Sequence, residues 1–358
     1  MTAFEPLSKQ NQILPLERAY ALHADFYTNP ACLEHEQKHV FAASWQLAAH
    51  SGDLKNAGDH VVCEIAGKPI LIVRNADRAL NAFYNVCRHR AGPIATCNGK
   101  AAKSLQCAYH GWTYALDGQL RAATEMQGAC DFETKDIRLT PVQVREWQGL
   151  VFVALSEATP HFEDVFKDIA ERISPIDLSA MYFTKRDSYN IACNWKVYVD
   201  NFLEGYHLPF VHPGLSKVLD YRVYDTELFD WYSLQHSPLR NNDGIYGDGH
   251  AFYYFIYPNI MLNIMPGRLQ TNRILPDGPN RCIVEFDYYY TDDPEVQARV
   301  AAEQAFSDEI QAEDIDICEH VQKGLASGAY QAGRLNPRRE SGVWHFQNLL
   351  RRAYGGKN

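Results

Sequence analysis

The sequence lacks an uninterrupted apolar run of membrane-spanning length, so we expect neither a transmembrane segment nor a membrane partner. Its first ten residues, MTAFEPLSKQ, do not place a basic stretch before an apolar one, and this predicts that no secretory signal is present. Internal repeats and low-complexity segments are absent as well. Basic residues are the minority, with 34 Lys and Arg against 44 Asp and Glu, and the net charge of −10 argues against nucleic acid as a partner.

Signals for disulfides and for nucleotide binding are missing too. The nine cysteines are an odd number and are scattered through 358 residues. A disulfide framework is therefore not expected, whereas a cytoplasmic, reducing location is, and some thiols remain available as metal ligands. No G-x-G-x-x-G fingerprint follows a strand-like run, which argues against a nucleotide site within the chain.

The chain does contain enough apolar sequence for a large core. Hydrophobic residues make up 46% of it and charged residues 22%, which predicts a globular protein of more than one domain. Periodicity predicts a helical segment at 1–45, an all-β domain at 46–158 and a mixed domain at 159–358, on which the helical segment is expected to pack. Finer patterns predict two helices broken at Asn29-Pro30, helices at 161–172, 194–206 and 296–327, strands at 252–257 and 281–290, and a tight turn at Asp117-Gly118.

Two short motifs in the predicted β domain each join a cysteine to a histidine. Cys87-x-His89 and Cys107-x-x-His110 are separated by 17 residues. Two such loops can place both thiolates on one iron of a [2Fe–2S] cluster and both imidazoles on the other, which raises the reduction potential. Gly111 would let the loop backbone approach the cluster, where N–H groups donated to the sulfurs tune that potential.

A zinc site is the alternative interpretation, because two cysteines and two histidines also bind zinc. In zinc fingers, however, cysteine is paired with cysteine and histidine with histidine, whereas the two residue types alternate here. The order of the ligands therefore favours the iron–sulfur cluster.

The residues around these ligands carry a family resemblance. CRHRAG, which begins at Cys87, and CAYHGWTY, which begins at Cys107, resemble the ligand loops of the Rieske domain of ring-hydroxylating oxygenases. The resemblance extends over residues 16–350. It implies an α+β fold: an all-β Rieske domain, and a catalytic domain in which an antiparallel sheet is flanked by helices in a helix-grip, START-like arrangement.

The segment 194–212 predicts a second metal site. If the chain is helical as far as His207, Glu204 and His207 share one face. Pro209 then disrupts the helix, and His212 can return toward the same point. Two histidines need one carboxylate to form a facial triad, whose open positions let Fe(II) take up dioxygen beside a substrate.

The third ligand is open between two carboxylates on a predicted helix, Asp314 and Asp316. Asp314 is preferred because its Asp-x4-Glu spacing to Glu319 resembles the ligand motif of the family. The alternative for the whole group is a pair of surface histidines and a solvated acidic helix with no metal.

The resemblance also implies how the two sites cooperate. Electrons from NAD(P)H reach the cluster through a separate ferredoxin or flavin reductase and then pass to the mononuclear iron. Family members form head-to-tail homotrimers, in which the cluster of one subunit lies beside the iron of its neighbour. Glu204 occupies the position of the acidic residue that links a cluster histidine, here His110, to an iron histidine, here His207, of the next subunit.

The substrate class is implied by four further segments. They resemble the choline monooxygenase group and are YPNIMLN (257–263), EDIDICEHVQKGL (313–325), AYQAGRL (329–335) and WHFQNLL (344–350). The implied reaction is monooxygenation of a quaternary ammonium compound, with N-demethylation as one outcome. Aromatic residues at 231–232, 246 and 252–257 can surround such a cation, although each also suits a core.

Three other functions remain open at the level of the sequence. The family also contains mono- and dioxygenases that act on aromatic acids. A pure electron carrier would need only residues 46–158, and a zinc hydrolase would use His207 and His212 but not the cluster.

Overall fold

The computed structural model describes residues 11–218, 225–239 and 249–355, so position 246, one of the aromatic candidates, lies outside the described residues. The chain forms two compact units. One is Phe41–Phe162, and the other combines Met1–Val40 with Glu163–Asn358. The domain limits of 46–158 and 159–358 remain predictions.

The unit Phe41–Phe162 consists of antiparallel sheets. A six-stranded sheet has the order β1-β9-β8-β4-β3-β2, and a three-stranded sheet has the order β5-β6-β7. The strands are β1 (Gln46–His50), β2 (His60–Ile65), β3 (Lys68–Arg74), β4 (Leu80–Tyr84), β5 (Leu105–Gln106), β6 (Thr113–Tyr114), β7 (Leu120–Ala122), β8 (Pro141–Trp147) and β9 (Leu150–Ala154).

The sequence explains two features of this unit, a buried strand and a tight turn. All five residues of β9, which are apolar, are buried in its core. The predicted tight turn joins β6 and β7. Gly118 has φ +85°, which its lack of a Cβ permits, and the N–H of Ala115 donates to the carbonyl of Gln119 at 2.8 Å. The turn at Asp117-Gly118 is thereby confirmed.

The second unit is built on a seven-stranded antiparallel sheet. Its order is β10-β16-β15-β14-β13-β12-β11. The strands are β10 (Tyr182–Ile191), β11 (Asp225–Leu228), β12 (Tyr232–Pro238), β13 (His250–Ile256), β14 (Ile260–Met265), β15 (Arg268–Pro276) and β16 (Cys282–Tyr290).

The described α-helices include one long element and several short ones. They are α1 (Asp25–Thr28), α2 (Pro30–Glu36), α3 (Phe162–Val165), α4 (Ile169–Arg172), α5 (Trp195–Phe202), α6 (Leu208–Val211), α7 (Leu215–Val218), α8 (Pro294–Gln297), α9 (Val300–Ala326) and α10 (Ser341–Ala353). A π-helical turn covers Gln37–Phe41, and 3-10 turns cover Leu16–Arg18, Ser51–Asp53, Thr134–Asp136 and Leu178–Ala180.

The long helix α9 packs against the sheet and against α5. The hydroxyl of Tyr288 on β16 is 3.0 Å from Oγ of Ser307 on α9, and the hydroxyl of Tyr198 on α5 donates to Oε1 of Gln311 at 2.6 Å. All four side chains are buried. The space between α5, α9 and the sheet is therefore lined by polar as well as apolar groups.

The N-terminal segment belongs to the same unit. The predicted break at Asn29-Pro30 is confirmed, because α1 ends at Thr28 and α2 begins at Pro30. Oδ1 of Asn29 accepts the N–H of Ala31 at 3.0 Å, and proline costs no hydrogen bond in the first turn of a helix. The hydroxyl of Tyr27 donates to Oδ2 of Asp200 at 2.5 Å and ties α1 to α5.

The α+β class predicted from the sequence is confirmed by these sheets and helices. None of the helices in the described ranges is long and apolar enough to cross a membrane.

Candidate metal centres

The two Cys-His motifs lie on loops with the same closure. The N–H of Cys87 donates to the carbonyl of Gly92 at 2.8 Å, and the N–H of Cys107 donates to the carbonyl of Trp112 at 2.9 Å. Each loop thus closes five residues after its cysteine. The two loops share this backbone closure, although the histidine follows the cysteine by two residues in the first loop and by three in the second.

Thiols and imidazoles occupy different depths of this site. Cys87 and Cys107 are 4% and 1% exposed, whereas His89 is exposed and His110 is half-buried. The ring centroids of the two histidines are 4.6 Å apart. The inner pair of sulfurs and the outer pair of nitrogens match a cluster with thiolates on one iron and imidazoles on the other.

Backbone and side-chain donors surround the sulfurs. Burial raises the pKa of Cys107, while hydrogen bonds from the backbone N–H groups of Tyr109 and His110 oppose that rise. The hydroxyl of Tyr114 is 3.2 Å from Sγ of Cys87. Such donors stabilise negative charge on sulfur, as the sequence led us to expect for a cluster site.

Two glycines leave the space that the ligands need. Gly111 has φ +72°, which a residue with a Cβ adopts only under strain. A Cβ added to Gly92 would lie 3.0 Å from Sγ of Cys107. The donor set, its depth and these close approaches all fit a [2Fe–2S] cluster.

The second site begins where α5 ends. The prediction of a continuous helix to His207 is wrong, because α5 ends at Phe202. The carboxylate of Glu204 accepts the backbone N–H groups of Tyr206 and His207, so these groups are not available to continue the helix. The expected role of Pro209 is also wrong. It lies in the first turn of α6, where its missing N–H is not needed, so it starts a helix and does not end one.

The three predicted ligands nevertheless converge. Each of His207, His212 and Asp314 offers one donor atom, and these atoms all lie within 4.8 Å of one another. Oδ1 of Asp314 is 3.0 Å from Nε2 of His212 and 3.9 Å from Nε2 of His207. Two imidazoles and one carboxylate around one point are the donor set of a mononuclear Fe(II) site with open positions.

Carboxylates hold the opposite ring nitrogen of both histidines. Oε1 of Glu204 is 2.7 Å from Nδ1 of His207, and Oε2 of Glu313 is 2.6 Å from Nδ1 of His212. An acceptor at Nδ1 keeps the proton there and leaves Nε2 as a lone-pair donor. Both Nε2 atoms face Asp314, the side on which a metal would need their lone pairs.

Charge in this group is dominated by carboxylates. Burial alone would lower the pKa of His212, but its hydrogen bonds with Asp314 and Glu313 and their negative charges raise it. Asp314 is in turn held by Asn201, whose Nδ2 donates to Oδ1 at 2.5 Å. A cation at the centre of the triad would meet an electron-rich, oriented set of donors.

Asp316, the alternative third ligand, does not lie with the two histidines. The side chain of Asp316 is 78% exposed and pairs with His320 on the same helix at 3.6 Å. Asp314 lies two residues earlier on α9, which places it on nearly the opposite side of the helix, toward the two histidines. The geometry supports Asp314 as the third ligand.

Sequence reasoning missed Glu313 and Asn201. Glu313 precedes Asp314 directly, and Asn201 precedes Glu204 by three residues, so both stood inside segments that had already been singled out. Their contacts span 101 and 113 residues of sequence, a relation that no local pattern contains.

A cavity adjoins the triad. It lies between α5, α9 and the sheet, and aromatic side chains line it together with His207, His212 and Asp314: Tyr198, Phe202, Tyr253 and Phe286. Tyr253 is the one member of the predicted aromatic run 252–257 that lines it. Tyr254 and Phe255 are fully buried in the core.

Two family models match the chain. The model of the ring hydroxylating alpha subunit (catalytic domain) matches residues 178–356, and that of the Rieske [2Fe-2S] domain matches residues 44–141. The chain therefore belongs to the Rieske-type ring-hydroxylating oxygenases. It is an oxidoreductase whose cofactors are a [2Fe–2S] cluster and a mononuclear iron.

Among curated proteins the chain is similar to two kinds of monooxygenase. It is 35% identical to the chloroplastic choline monooxygenase of Arabidopsis thaliana, over 98% of this chain and 85% of that protein. It is 31% identical to the carnitine monooxygenase oxygenase subunit of Escherichia coli (strain K12), over 94% and 95% of the two chains. The predicted resemblance to the choline monooxygenase group is confirmed.

The fold is also similar to those of solved Rieske oxygenase structures. A quaternary ammonium Rieske monooxygenase, described for carnitine oxidation and inter-subunit electron transfer, superposes with a TM-score of 0.87 at 27% identity, over 96% of this chain and 98% of that one. Naphthalene 1,2-dioxygenase superposes with a TM-score of 0.75 over 96% of this chain and 93% of that one, but its 18% identity shows a shared fold alone.

Proposed function

We propose that this oxygenase hydroxylates a quaternary ammonium compound at a carbon bonded to the nitrogen. The observation that carries the proposal is the cavity, in which four aromatic side chains stand beside the His207–His212–Asp314 triad. Aromatic faces attract a cation that has no N–H group, because the attraction is electrostatic and needs no hydrogen bond. The choline and carnitine monooxygenases among the relatives support the same substrate class.

The balanced reaction takes one oxygen atom of O2 into the C–H bond and releases the other as water, with two electrons and two protons supplied from outside. The product is a carbinolamine. Its hydroxyl group releases a proton and its C–N bond breaks with the electron pair remaining on nitrogen, which gives an aldehyde and a tertiary amine. A hydroxylated N-methyl group is thus lost as formaldehyde.

The metal ligands follow from the two sites. In our assignment Cys87, His89, Cys107 and His110 hold the [2Fe–2S] cluster, and His207, His212 and Asp314 hold the mononuclear iron. When bound, these groups supply single-electron transfer and the activation of dioxygen. The protein fixes both Nε2 donors through Glu204 and Glu313 and keeps one side of the triad open to the cavity.

Glu204 is proposed as the link between subunits. Its carboxylate already accepts from Nδ1–H of His207, and a second acceptor position can serve His110 of a neighbouring copy. Such a contact repeats in a closed ring of three subunits. The inter-subunit electron transfer named for the quaternary ammonium Rieske monooxygenase supports this arrangement.

Electrons are proposed to come from NAD(P)H through a separate ferredoxin or flavin reductase, because the sequence has no nucleotide fingerprint. None of the nine cysteines forms a disulfide in the part of the chain that the structure describes, which suits a cytoplasmic location, where thiols stay reduced.

The test combines spectroscopy with a substrate screen. The purified protein is expected to be brown and to contain acid-labile sulfide and iron, whereas a colourless, zinc-only protein would contradict the proposal. With a surrogate reductase, O2 uptake and aldehyde release are measured for choline, glycine betaine, carnitine, proline betaine and simple aromatic acids. Turnover of aromatic acids without turnover of any quaternary ammonium compound would replace this function by that of an aromatic-acid oxygenase.

A further inference from the structure

The wall of the cavity carries groups that a quaternary ammonium ion cannot use. Arg268, Gln270 and Asn272 alternate along β15, so their side chains share one face of the sheet, and all three line the cavity. They are 2–3% exposed. They also bond to one another, since Nε2 of Gln270 donates to Oδ1 of Asn272 at 3.0 Å. A tetraalkylammonium ion, which has neither an N–H group nor a lone pair, offers this face of the sheet no hydrogen bond.

The helix opposite this strand adds a polar atom without a partner. Gln311 lines the cavity and is 1% exposed. Its Oε1 accepts from Tyr198, whereas its Nε2 is buried and has no hydrogen-bond partner among the residues that the structure describes. A buried donor left without an acceptor costs free energy, which a substrate acceptor at this point would recover.

Arg268 gives this part of the cavity a positive charge. Its Nη2 donates to Oε1 of Gln270 at 2.5 Å, and its Nη1 is 3.4 Å from the sulfur of Met265. Glu303 is shared between two guanidinium groups, with 3.6 Å to Nε of Arg268 and 3.7 Å to Nε of Arg299. Because Arg268 shares the carboxylate of Glu303 with Arg299, a carboxylate of the substrate can be a second anionic partner for the Arg268 guanidinium.

The two ends of the cavity carry different groups. The triad end carries Asp314 and is flanked by Glu204 and Glu313, while the other end carries Arg268. Helix α9 indicates the distance between the two ends of the cavity. Asp314 and Ser307 both line the cavity and are about 10 Å apart along the helix axis. Ser307 marks the level of Gln270, since Oγ of Ser307 is 3.5 Å from Oε1 of Gln270.

We propose that the substrate is a betaine zwitterion, in which a short chain joins the quaternary nitrogen to a carboxylate. The nitrogen lies at the triad end, and the carboxylate lies against Arg268 and accepts from Nε2 of Gln311. This inference rests on the proposed function and narrows it: carboxylates such as carnitine are favoured, and choline, which ends in a hydroxyl, is disfavoured.

Binding is tested without turnover, by calorimetry on the full-length, metal-loaded protein in the absence of reductase. The probes are γ-butyrobetaine and its primary amide, which keeps the length and the cation but removes the negative charge. We expect the acid to bind on the order of 100-fold more tightly than the amide, because removing one member of a buried charge pair leaves the other unpaired.

Arg268→Gln should weaken binding of the acid by a similar factor and leave binding of the amide within about threefold. The matched control is Arg273→Gln. Arg273 is on the same strand but at the alternate position, and it pairs with Glu285. This variant should leave the binding of both probes unchanged.

A second variant separates the loss of the Arg268 charge from destabilisation of the fold. Arg268→Met combined with Glu303→Gln removes both charges, so no buried carboxylate is left alone. It should show the same loss of preference for the acid. Equal binding of acid and amide by the unmodified protein, or an equal loss of both probes in Arg268→Gln, would overturn the inference while aldehyde release still supports the proposed function. Absence of turnover with every quaternary ammonium compound would defeat the proposed function itself.

Discussion

Oε1 of Glu204 lies 2.7 Å from Nδ1 of His207, on the side of the imidazole opposite the Nε2 that faces Asp314. One carboxylate therefore fixes a histidine that we propose as an iron ligand and, with its other oxygen, caps the turn that carries it. The side chain of Glu204 is 12% exposed, so it is mostly buried but still accessible to a contact from another chain. A residue in this position can act on the metal without binding it.

Glu204→Gln should keep iron and sulfide at the level of the unmodified protein and lower turnover by about 10- to 100-fold. The amide retains an oxygen acceptor for His207 but loses the charge that supports a link to a neighbouring histidine. Metal analysis and O2 uptake on the same samples separate the two effects. Glu309→Gln, an exposed position on α9, is the control. Full activity in Glu204→Gln would remove this residue from the electron path.

Glu313→Gln tests a contact that the sequence did not reveal. Losing the charge at Nδ1 of His212 weakens the donor strength of Nε2, so the affinity for the mononuclear iron should fall by about 10- to 100-fold. Iron retention against a chelator measures this affinity, and the visible spectrum of the cluster should not change. Asp316→Asn, three residues further on, should retain iron normally. Iron loss in Asp316→Asn and retention in Glu313→Gln would reverse our assignment of the carboxylates.

The two predicted ligand groups depended on different kinds of information. The cluster motif is local: each Cys-His pair lies within one loop, and residue type with spacing was enough to predict it. The triad needed tertiary structure, because Asp314 meets His212 across 102 residues. The family resemblance supplied that pairing, which spacing alone left open between Asp314 and Asp316.

The segment that leads to His207 shows why local patterns failed at the site. Periodicity favours a continuous helix through 194–207, but the Glu204 carboxylate takes two backbone N–H groups and ends it early. Such side-chain competition with the backbone is decided by the surroundings of the carboxylate. Local sequence does not predict a role for Arg268 either. It lies in a strand of mixed polarity, and only the tertiary structure shows that it lines the cavity.

His89→Cys should lower the reduction potential of the cluster on the order of 100 mV, because a neutral imidazole becomes a charged thiolate. Redox titration followed by electron paramagnetic resonance measures the change. Cys97→Ser, an exposed thiol in the same unit, should leave the potential unaltered. An intact cluster with an unchanged potential in His89→Cys would show that His89 is not a ligand.

Asp200→Asn addresses stability and its dependence on pH. Burial raises the pKa of Asp200 to about 7, although hydrogen bonds from Tyr27 and Gln347 oppose the rise. The folded chain therefore holds a proton that the unfolded chain releases near pH 4, roughly the ordinary pKa of an aspartate. The stability that this proton contributes is complete below about pH 4, is lost as pH rises toward about 7, and does not change further above that value.

The amide of Asp200→Asn cannot titrate, so the difference in free energy of unfolding between the native protein and this variant should move against the native protein from about pH 4 to about pH 7. Over the full range the change is on the order of 4 kcal/mol at most. Thermal unfolding of both proteins at several pH values measures it, and Asp316→Asn, at an exposed position, provides a baseline with no such trend. A difference that stays constant with pH would mean that Asp200 is ionised in the folded protein throughout this range, and that its contact with Tyr27 is a charged one.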